Sequence, residues 1–370
     1  MSKLFSPYAL RKLTLENRIV ISPMCQYSAA DGNVSQWHLI HLGQLALGGA
    51  GLLCIEAAGV EAIGRITPGC LGLYSDDNEA ALHRLIIDLR RHSGMPLAIQ
   101  LAHAGRKASS HTPWDGGKLI EPKAGGWDPI APSAVPYSPS EPPPREMRAE
   151  DLVRVREAFA QAAQRAARLG IDAIELHAAH GYLMHTFLSP LSNRRSDSYG
   201  GTLENRMRFP LEVFSAVRKV WPDERPLGVR ISASDWIEGG WDLAQSLEFS
   251  RRLKALGCDW IDASSGGLAP DQKIALCPGY QVPFAEAIRR DAGIATIAVG
   301  LITEPKQAEE IVATGRADMV ALARGLLWEP HWAWRAAAEL GGELSAPKQY
   351  WRAPPRGAEA IFHDAKVGQR

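Results

Sequence analysis

Short apolar runs rich in β-branched residues recur along the chain, and each is followed by a longer segment whose apolar positions return every three or four residues. Eight such runs stand at 19–23, 52–57, 96–101, 171–177, 226–232, 260–264, 295–299 and 319–323. The helical segments that follow cover 38–47, 77–92, 150–168, 203–220, 242–256, 281–290, 304–314 and 328–340. Compact apolar runs flanked by Gly or Pro are the pattern of parallel strands buried on both faces. Ser75 before Asp76-Asp77, Thr202 before Leu203-Glu204-Asn205, and Thr303-Glu304 before Pro305 mark helix starts. Eight strand–helix units with no ninth predict an α/β fold of the (β/α)8 TIM-barrel type; an open doubly wound sheet is the competing arrangement.

One stretch breaks the repeat. Residues 103–149, after the third strand, include a Gly-rich part at 116–126 and a Pro-rich part at 132–144, too long for an ordinary βα connection. Placed there, the insertion lies on the catalytic face of a barrel, as a lid or an added hairpin, or else as an interface element or surface decoration. The pattern predicts one barrel domain over 1–352 and an extended C-terminal tail over 353–370.

Composition narrows the chemistry. The 370 residues carry a formal net charge of +0 and are 46% hydrophobic, enough for a large core and without the charge excess that would suggest nucleic acid or an acidic membrane as partner. The five cysteines (Cys25, Cys54, Cys70, Cys258, Cys277) form no C-x-x-C, so neither zinc nor an iron–sulfur cluster is indicated. Scattered thiols in odd number suit a reducing cytosol. The N-terminus lacks the apolar stretch of a signal peptide, and no run reaches the ~18 apolar residues of a membrane span. A soluble cytoplasmic protein is expected.

In a barrel, the residues at the carboxyl ends of the strands face one site. Here they are Met24-Cys25, Ala57, Gln100, His177 with His180 and Tyr182, Arg230, Ser265-Gly266, Gly300 and Arg324. The set holds no metal-binding carboxylate pair and no Ser-His-Asp arrangement. Glycine and arginine after the last two strands favour a phosphorylated ligand, and Arg230 would meet a second electron-rich part of it. Each arginine also has a plainer role open to it, pairing with a structural carboxylate. His177 and His180 admit three readings: metal ligands, a satisfied structural pair, or hydrogen-bond donors to a substrate oxygen. Cys25 could touch a cofactor or merely fill space. Gly48-Gly49-Ala50-Gly51 precedes a strand instead of joining strand to helix, the wrong order for a dinucleotide fingerprint.

Motifs spread over the chain then point to a family. They are Asn17-Arg18-Ile19, Ser22-Pro23-Met24-Cys25-Gln26-Tyr27, Gly64-Arg65-Ile66-Thr67, Gln100-Leu101-Ala102-His103-Ala104-Gly105-Arg106, and His177-Ala178-Ala179-His180-Gly181-Tyr182. Further on stand Leu188-Ser189-Pro190, Asn193-Arg194-Arg195, Asp197-Ser198-Tyr199-Gly200-Gly201, Glu204-Asn205-Arg206 and Pro278-Gly279-Tyr280-Gln281. With these the chain resembles the Old Yellow Enzyme family of flavin-dependent ene-reductases, and the Cys25/Tyr27 pair is similar to its thermophilic-like, bacterial NADPH dehydrogenase branch.

The resemblance implies non-covalent FMN at the barrel mouth and NADPH or NADH as electron donor. It places Ser22, Pro23, Met24, Cys25 and Ala57 along the isoalloxazine edge, Gln100 at the pyrimidine end and Arg230 beside N1 and the C2 carbonyl. Ser265, Gly300, Ala323 and Arg324 would hold the ribityl chain and phosphate. His177 and His180, assisted by Tyr27, would grip the carbonyl or nitro oxygen of an activated alkene. Hydride from flavin N5 would reach the β-carbon and Tyr182 would protonate the α-carbon, in a ping-pong cycle. Two departures stand out: Ala323 occupies a position usually held by Gly, and Gln349-Tyr350-Trp351-Arg352, expected to send Arg352 into a neighbouring subunit's site in a homodimer or homotetramer, is followed by a longer tail. A non-redox TIM-barrel lyase or isomerase acting on a phosphorylated substrate is the alternative from another class; it would be favoured by a Schiff-base lysine at a strand end, and none of these ends has one.

Overall fold

The computed structural model describes residues 2–366. Eight parallel strands, β1 (Ile19–Ile21), β2 (Leu52–Gly59), β3 (Leu97–Ala102), β4 (Ala173–Ala178), β5 (Leu227–Ser232), β6 (Trp260–Ser264), β7 (Ala295–Val299) and β8 (Met319–Leu322), pair in chain order. β8 bonds back to β1, so the sheet closes and the open-sheet alternative falls away. The outer ring is α1 (Gln36–Ala46), α2 (Asp76–Arg90), α3 (Ala149–Arg168), α4 (Leu203–Val220), α5 (Leu243–Ala255), α6 (Val282–Ala287), α7 (Pro305–Ala313) and α8 (Trp332–Leu340). Ser75, Thr202 and Asp242 cap their helices by accepting the backbone N–H three residues on. The last predicted helix, 328–340, begins only at Trp332, because Pro330 cannot continue a helical ladder, and a separate short helix, Arg324–Trp328, precedes it.

Alternation along each strand creates two cores. Ile19, Ile21, Leu53, Ile55, Ile99, Ile174, Leu176, Val229 and Ile231 face outward and pack under the helices. Val20, Leu52, Cys54, Ala98, Ala173, Trp260, Ile297, Met319 and Ala321 face inward and fill the lower lumen. Gly228 belongs to that inner layer, where a Cβ would stand 2.0 Å from the Trp260 indole, so the tryptophan takes the space of two side chains. An N-terminal hairpin (Tyr8–Leu10 with Leu13–Leu15), too short to be legible as strands, closes the lumen from below with Leu10 and Leu15.

The 103–149 insertion lies against the opposite, carboxyl rim. Arg106 donates to the carbonyls of Val135, Pro136 and Leu268, and the Trp127 indole donates to Ile63 O. Its strand pair, Ile130–Ala131 with Arg145–Glu146, is parallel and therefore not the expected hairpin turn; a separate antiparallel bridge joins Ser110 and Leu119. Beyond Arg352 the chain folds back: Phe362 bridges to Leu344, is 3% exposed, and stacks edge-on against Trp334 at 5.0 Å.

Candidate active site

Two residues above the apolar layer, the same inward positions turn polar. Ala98 gives way to Gln100, Ala173 to Glu175 and then His177, Gly228 to Arg230 and then Ser232, Trp260 to Asp262 and then Ser264. Strand register sets Gln100 beside Glu175, and His177 beside Arg230 beside Asp262. Gln100 donates to Glu175 Oε1 at 2.8 Å, and the Trp260 indole reaches Glu175 Oε2 at 3.4 Å. Burial, reinforced by the charge of Asp262, pushes the Glu175 carboxyl up to about 7. The Asp262 carboxyl is raised too, by burial, with Arg230 opposing.

Arg230 has the carboxylate neighbour that a structural role would require, Asp262 Oδ2 at 3.4 Å from its Nε. The contact is electrostatic and no more, since Arg230 Nε and Asp262 Oδ1 are both buried without a hydrogen-bond partner. Ser22 Oγ, at the end of β1, is likewise buried and unpartnered. Donors left unsatisfied this deep in a site are costly, and they fit a ligand that presents acceptors to them.

The turn after β4 brings the aromatic trio together. His180 adopts φ +58, and Gly181 follows at φ +74 with its α-carbon so close to Gly267 O that a Cβ would lie 2.3 Å away. The chain thereby doubles back, and the ring centroids of His177 and His180 stand 5.2 Å apart, those of His177 and Tyr182 5.0 Å. Ser232 Oγ accepts the His180 backbone N–H at 2.9 Å, and Ser264 Oγ lies 2.7 Å from His180 Nε2. His177 Nδ1 accepts the Ala179 N–H, which leaves the ring proton on Nε2. Burial first, then the charge of Arg230, holds both imidazoles well below their ordinary range, so they are neutral N–H donors at neutral pH. Burial pushes the Tyr182 phenol well above 10, and it keeps its proton.

Other expected residues sit around the same mouth. Pro23, Met24, Cys25 and Tyr27 are half-buried after β1, Tyr27 at φ +53, and Ala57 is buried on β2. Ser265 Oγ donates to Gln281 Oε1 at 2.7 Å while Gln281 donates to Val299 O, which braces the turn at Gly300. Ala323 has φ −110, outside the left-handed region that would demand glycine. Arg324 is exposed beyond β8, and its charge, with that of Arg230, opposes the rise that burial imposes on the Tyr280 phenol. Arg352 follows residues 346–351, which line a groove with Leu47, Arg91 and His92 at the amino-terminal rim, away from this mouth.

Sequence reasoning missed Glu175, Asp262, Ser232, Ser264 and Lys107. Lys107, from a turn directly after β3, donates to the carbonyls of His180 and Gly267. Cys70, also overlooked, receives hydrogen bonds from Thr67 N–H at 3.3 Å and from Cys25, and the latter draws its thiol below the ordinary value. Among the described residues no cluster of His, Cys, Asp and Glu could hold a metal ion, and no helix is long and apolar enough to cross a membrane.

A barrel with donors, cations and a phenol converging on one mouth is the frame of a cofactor-dependent redox enzyme, and comparison with known proteins is specific. Residues 3–343 match the NADH:flavin oxidoreductase / NADH oxidase family, and the chain belongs to it. It is 50% identical over 351 residues to the NADPH dehydrogenase of Geobacillus thermodenitrificans, covering 94% of this chain and 98% of that one. With the NADPH dehydrogenase of Listeria innocua it shares 46% identity over 355 residues, 95% and 99% of the two chains. Among solved structures, morphinone reductase in complex with tetrahydroNAD superposes with a TM-score of 0.75 at 28% identity, over 96% of this chain and 93% of that one. A 2-naphthoyl-CoA reductase reaches a TM-score of 0.80 at 26% identity over 89% of this chain, which spans about half, 51%, of that reductase. The chain is an FMN-dependent NAD(P)H oxidoreductase of the Old Yellow Enzyme type, acting on small molecules. The lyase or isomerase alternative is left without support.

Proposed function

We propose that this enzyme reduces the C=C bond of α,β-unsaturated carbonyl or nitro compounds, with NADPH or NADH and the alkene using one site in turn. The observation that carries the reading is the convergence of two neutral imidazoles and a protonated, half-buried phenol, with the His180 and Tyr182 ring centroids 5.2 and 5.0 Å from that of His177. Bound FMN, held by Ser22, Pro23, Met24, Cys25, Ala57, Gln100, Arg230, Ser265, Gly300, Ala323 and Arg324, supplies the two-electron hydride chemistry. His177 and His180 bind the carbonyl or nitro oxygen. Being neutral, they donate hydrogen bonds without offering a proton that would leave, and they polarise the conjugated bond toward its β-carbon. When Ser264 donates to His180 Nε2, the His180 proton sits on Nδ1 and is free for the substrate. Tyr27 assists at the oxygen. Tyr182 protonates the α-carbon; its raised pKa keeps the proton in place until the developing negative charge draws it off. Arg352 reaches a neighbouring copy's mouth in a homodimer or homotetramer, which its position at the far rim of its own barrel suits.

The test is kinetic. The purified protein should be yellow, bleach with NADPH without air, and regain its colour with cyclohexenone. Tyr182→Phe should slow the recolouring by about a hundredfold or more and leave the bleaching unchanged. Equal slowing of both steps would remove Tyr182 from the proton transfer.

A further inference from the structure

We propose that Lys107 is a positioning residue for Tyr182, fixing the phenol in its donating orientation and offsetting the negative charge left on it after proton delivery; this rests on Tyr182 being the proton donor. The Lys107 ammonium is held by two backbone carbonyls, His180 O at 2.9 Å and Gly267 O at 3.2 Å. It stands 5.0 Å from the centroid of the Tyr182 ring and 4.6 Å from that of Tyr137. Among the described residues it makes no ion pair with a carboxylate, so beyond the two carbonyls the nearest groups it faces are the two aromatic rings. A lysine needed only to tie loops together would make the same two hydrogen bonds without lying over the proton donor. Tyr137 belongs to the 103–149 insertion, and Arg106, the preceding residue, pins the same insertion through Val135 O and Pro136 O. The insertion thus forms the outer wall of a cation slot whose inner wall is Tyr182.

The charge balance of the proton step shows why the slot matters. Tyr182 passes its proton to the substrate α-carbon, the O–H electron pair stays on the phenolate oxygen, and a proton from water later restores the phenol. Burial makes that phenolate costly, as its raised pKa records. The neighbours of Tyr182 do not relieve it, since Cys25, Tyr27, Cys70 and Tyr137 all disfavour a negative charge there, and His177 and His180 are neutral. A cation over the ring face is the relief this site contains, and such a contact is worth about tenfold in a rate when desolvated.

The slot also sets a pH limit. Burial, with the charge of Arg106, lowers the Lys107 ammonium to about 8, and Glu141 opposes the shift. The groups facing it are Arg106 on its own turn, Tyr137 and Glu141 from the insertion, His177 at the end of β4, and His180 and Tyr182 after it; the loop after β6 offers the Gly267 carbonyl. The histidines titrate far below this range and Tyr182 far above it, whereas the Cys70 thiol is drawn toward it and needs its own control. As pH rises through about 8 the cation is lost and protonation of the alkene should slow.

The experiment uses flavin-loaded enzyme bleached anaerobically with NADPH and then mixed with cyclohexenone between about pH 6 and 10. Wild type should lose about tenfold in recolouring rate above pH 8. Lys107→Met should be about tenfold slow at neutral pH and flat through that range, with bleaching unchanged. Lys107→Arg, whose charge persists, should move the limb upward, and Cys70→Ser should retain it. In a Tyr182→Phe background Lys107→Met should add no further loss, because the two residues act as one unit. A full additional loss there, a limb that persists in Lys107→Arg, or both half-reactions slowing together would overturn the proposal. Should Lys107→Met fail to keep its flavin, the wild-type limb and the arginine variant decide. A wild-type enzyme that cyclohexenone never recolours at any pH overturns the reductase reading itself, a result distinct from all of these.

Discussion

The lower and upper halves of the lumen are built by the same strands, two residues apart, and they obey opposite rules. Below, Ala98, Ala173, Gly228 and Trp260 interlock in a dry layer sealed by Leu10 and Leu15. Above, Gln100, Glu175, Arg230 and Asp262 occupy equally buried positions with three ionisable groups and incomplete hydrogen bonding. An apolar layer of similar volume would cost far less than buried charge. The lower half is therefore organised for stability, and the upper half carries a stability cost that a bound ligand offsets. Substitutions at matched heights should separate the two.

The largest effect is expected at Arg230. Arg230→Met leaves Asp262 and Glu175 together without their cation, and breaking a buried pair from one side costs about 3–5 kcal/mol. Thermal unfolding should register that loss along with flavin retention, and adding Asp262→Asn should recover part of the stability but not the flavin. Recovery of both would mean that Arg230 serves only the pair. Next is Gly228→Ala, where the new methyl meets Trp260 and overpacking should cost about 3 kcal/mol. Here the melting temperature should fall while the flavin content of the folded fraction stays intact, the reverse of a mouth substitution.

Glu175 gives a smaller effect with a definite sign. Its folded value of about 7 lies above the ordinary 4.5, so the folded protein holds a proton that the unfolded chain has released. That contribution is fully present below about 4.5 and is lost as pH rises through about 7. Glu175→Gln cannot titrate, so its stability relative to wild type should improve by about 2 kcal/mol between pH 5 and 8. Melts at the two pH values check it; a constant offset would show that Glu175 titrates normally.

The two halves were not equally legible in the sequence. The eight strands stand where the apolar runs put them, because burial on both faces leaves little choice of residue. His177, His180, Tyr182 and Arg230 were visible as polar residues at strand ends. Glu175 and Asp262 were in view as charges inside apolar runs, yet their meaning depends on which neighbours share a layer, and strand register is not written in one strand alone. Lys107 carried no periodic signal, since its position follows from a short turn and from contacts to the loops after β4 and β6. The N-terminal hairpin, three residues a side, is below the length at which alternation can be read.

The smallest expected effect concerns the far rim. Arg352 follows a segment that lines a groove with Leu47, Arg91 and His92, beside the entries to β2 and β3, whereas His177 and His180 lie at the exit of β4. Within one chain the two ends of the barrel cannot share a substrate, so any role for Arg352 in the mouth must be played across a subunit boundary. Arg352→Ala should then raise KM for the alkene about fivefold, as expected for one exposed charge contact, with kcat and melting temperature nearly unchanged. Mixing this variant with a His177→Ala variant sharpens the point. In a dimer with exchanged arms, a mixed pair contains one mouth with intact histidines and an intact borrowed arginine, so part of the wild-type KM should return once subunits exchange. Kinetics that equal the simple average of the two variants would confine each mouth to its own chain.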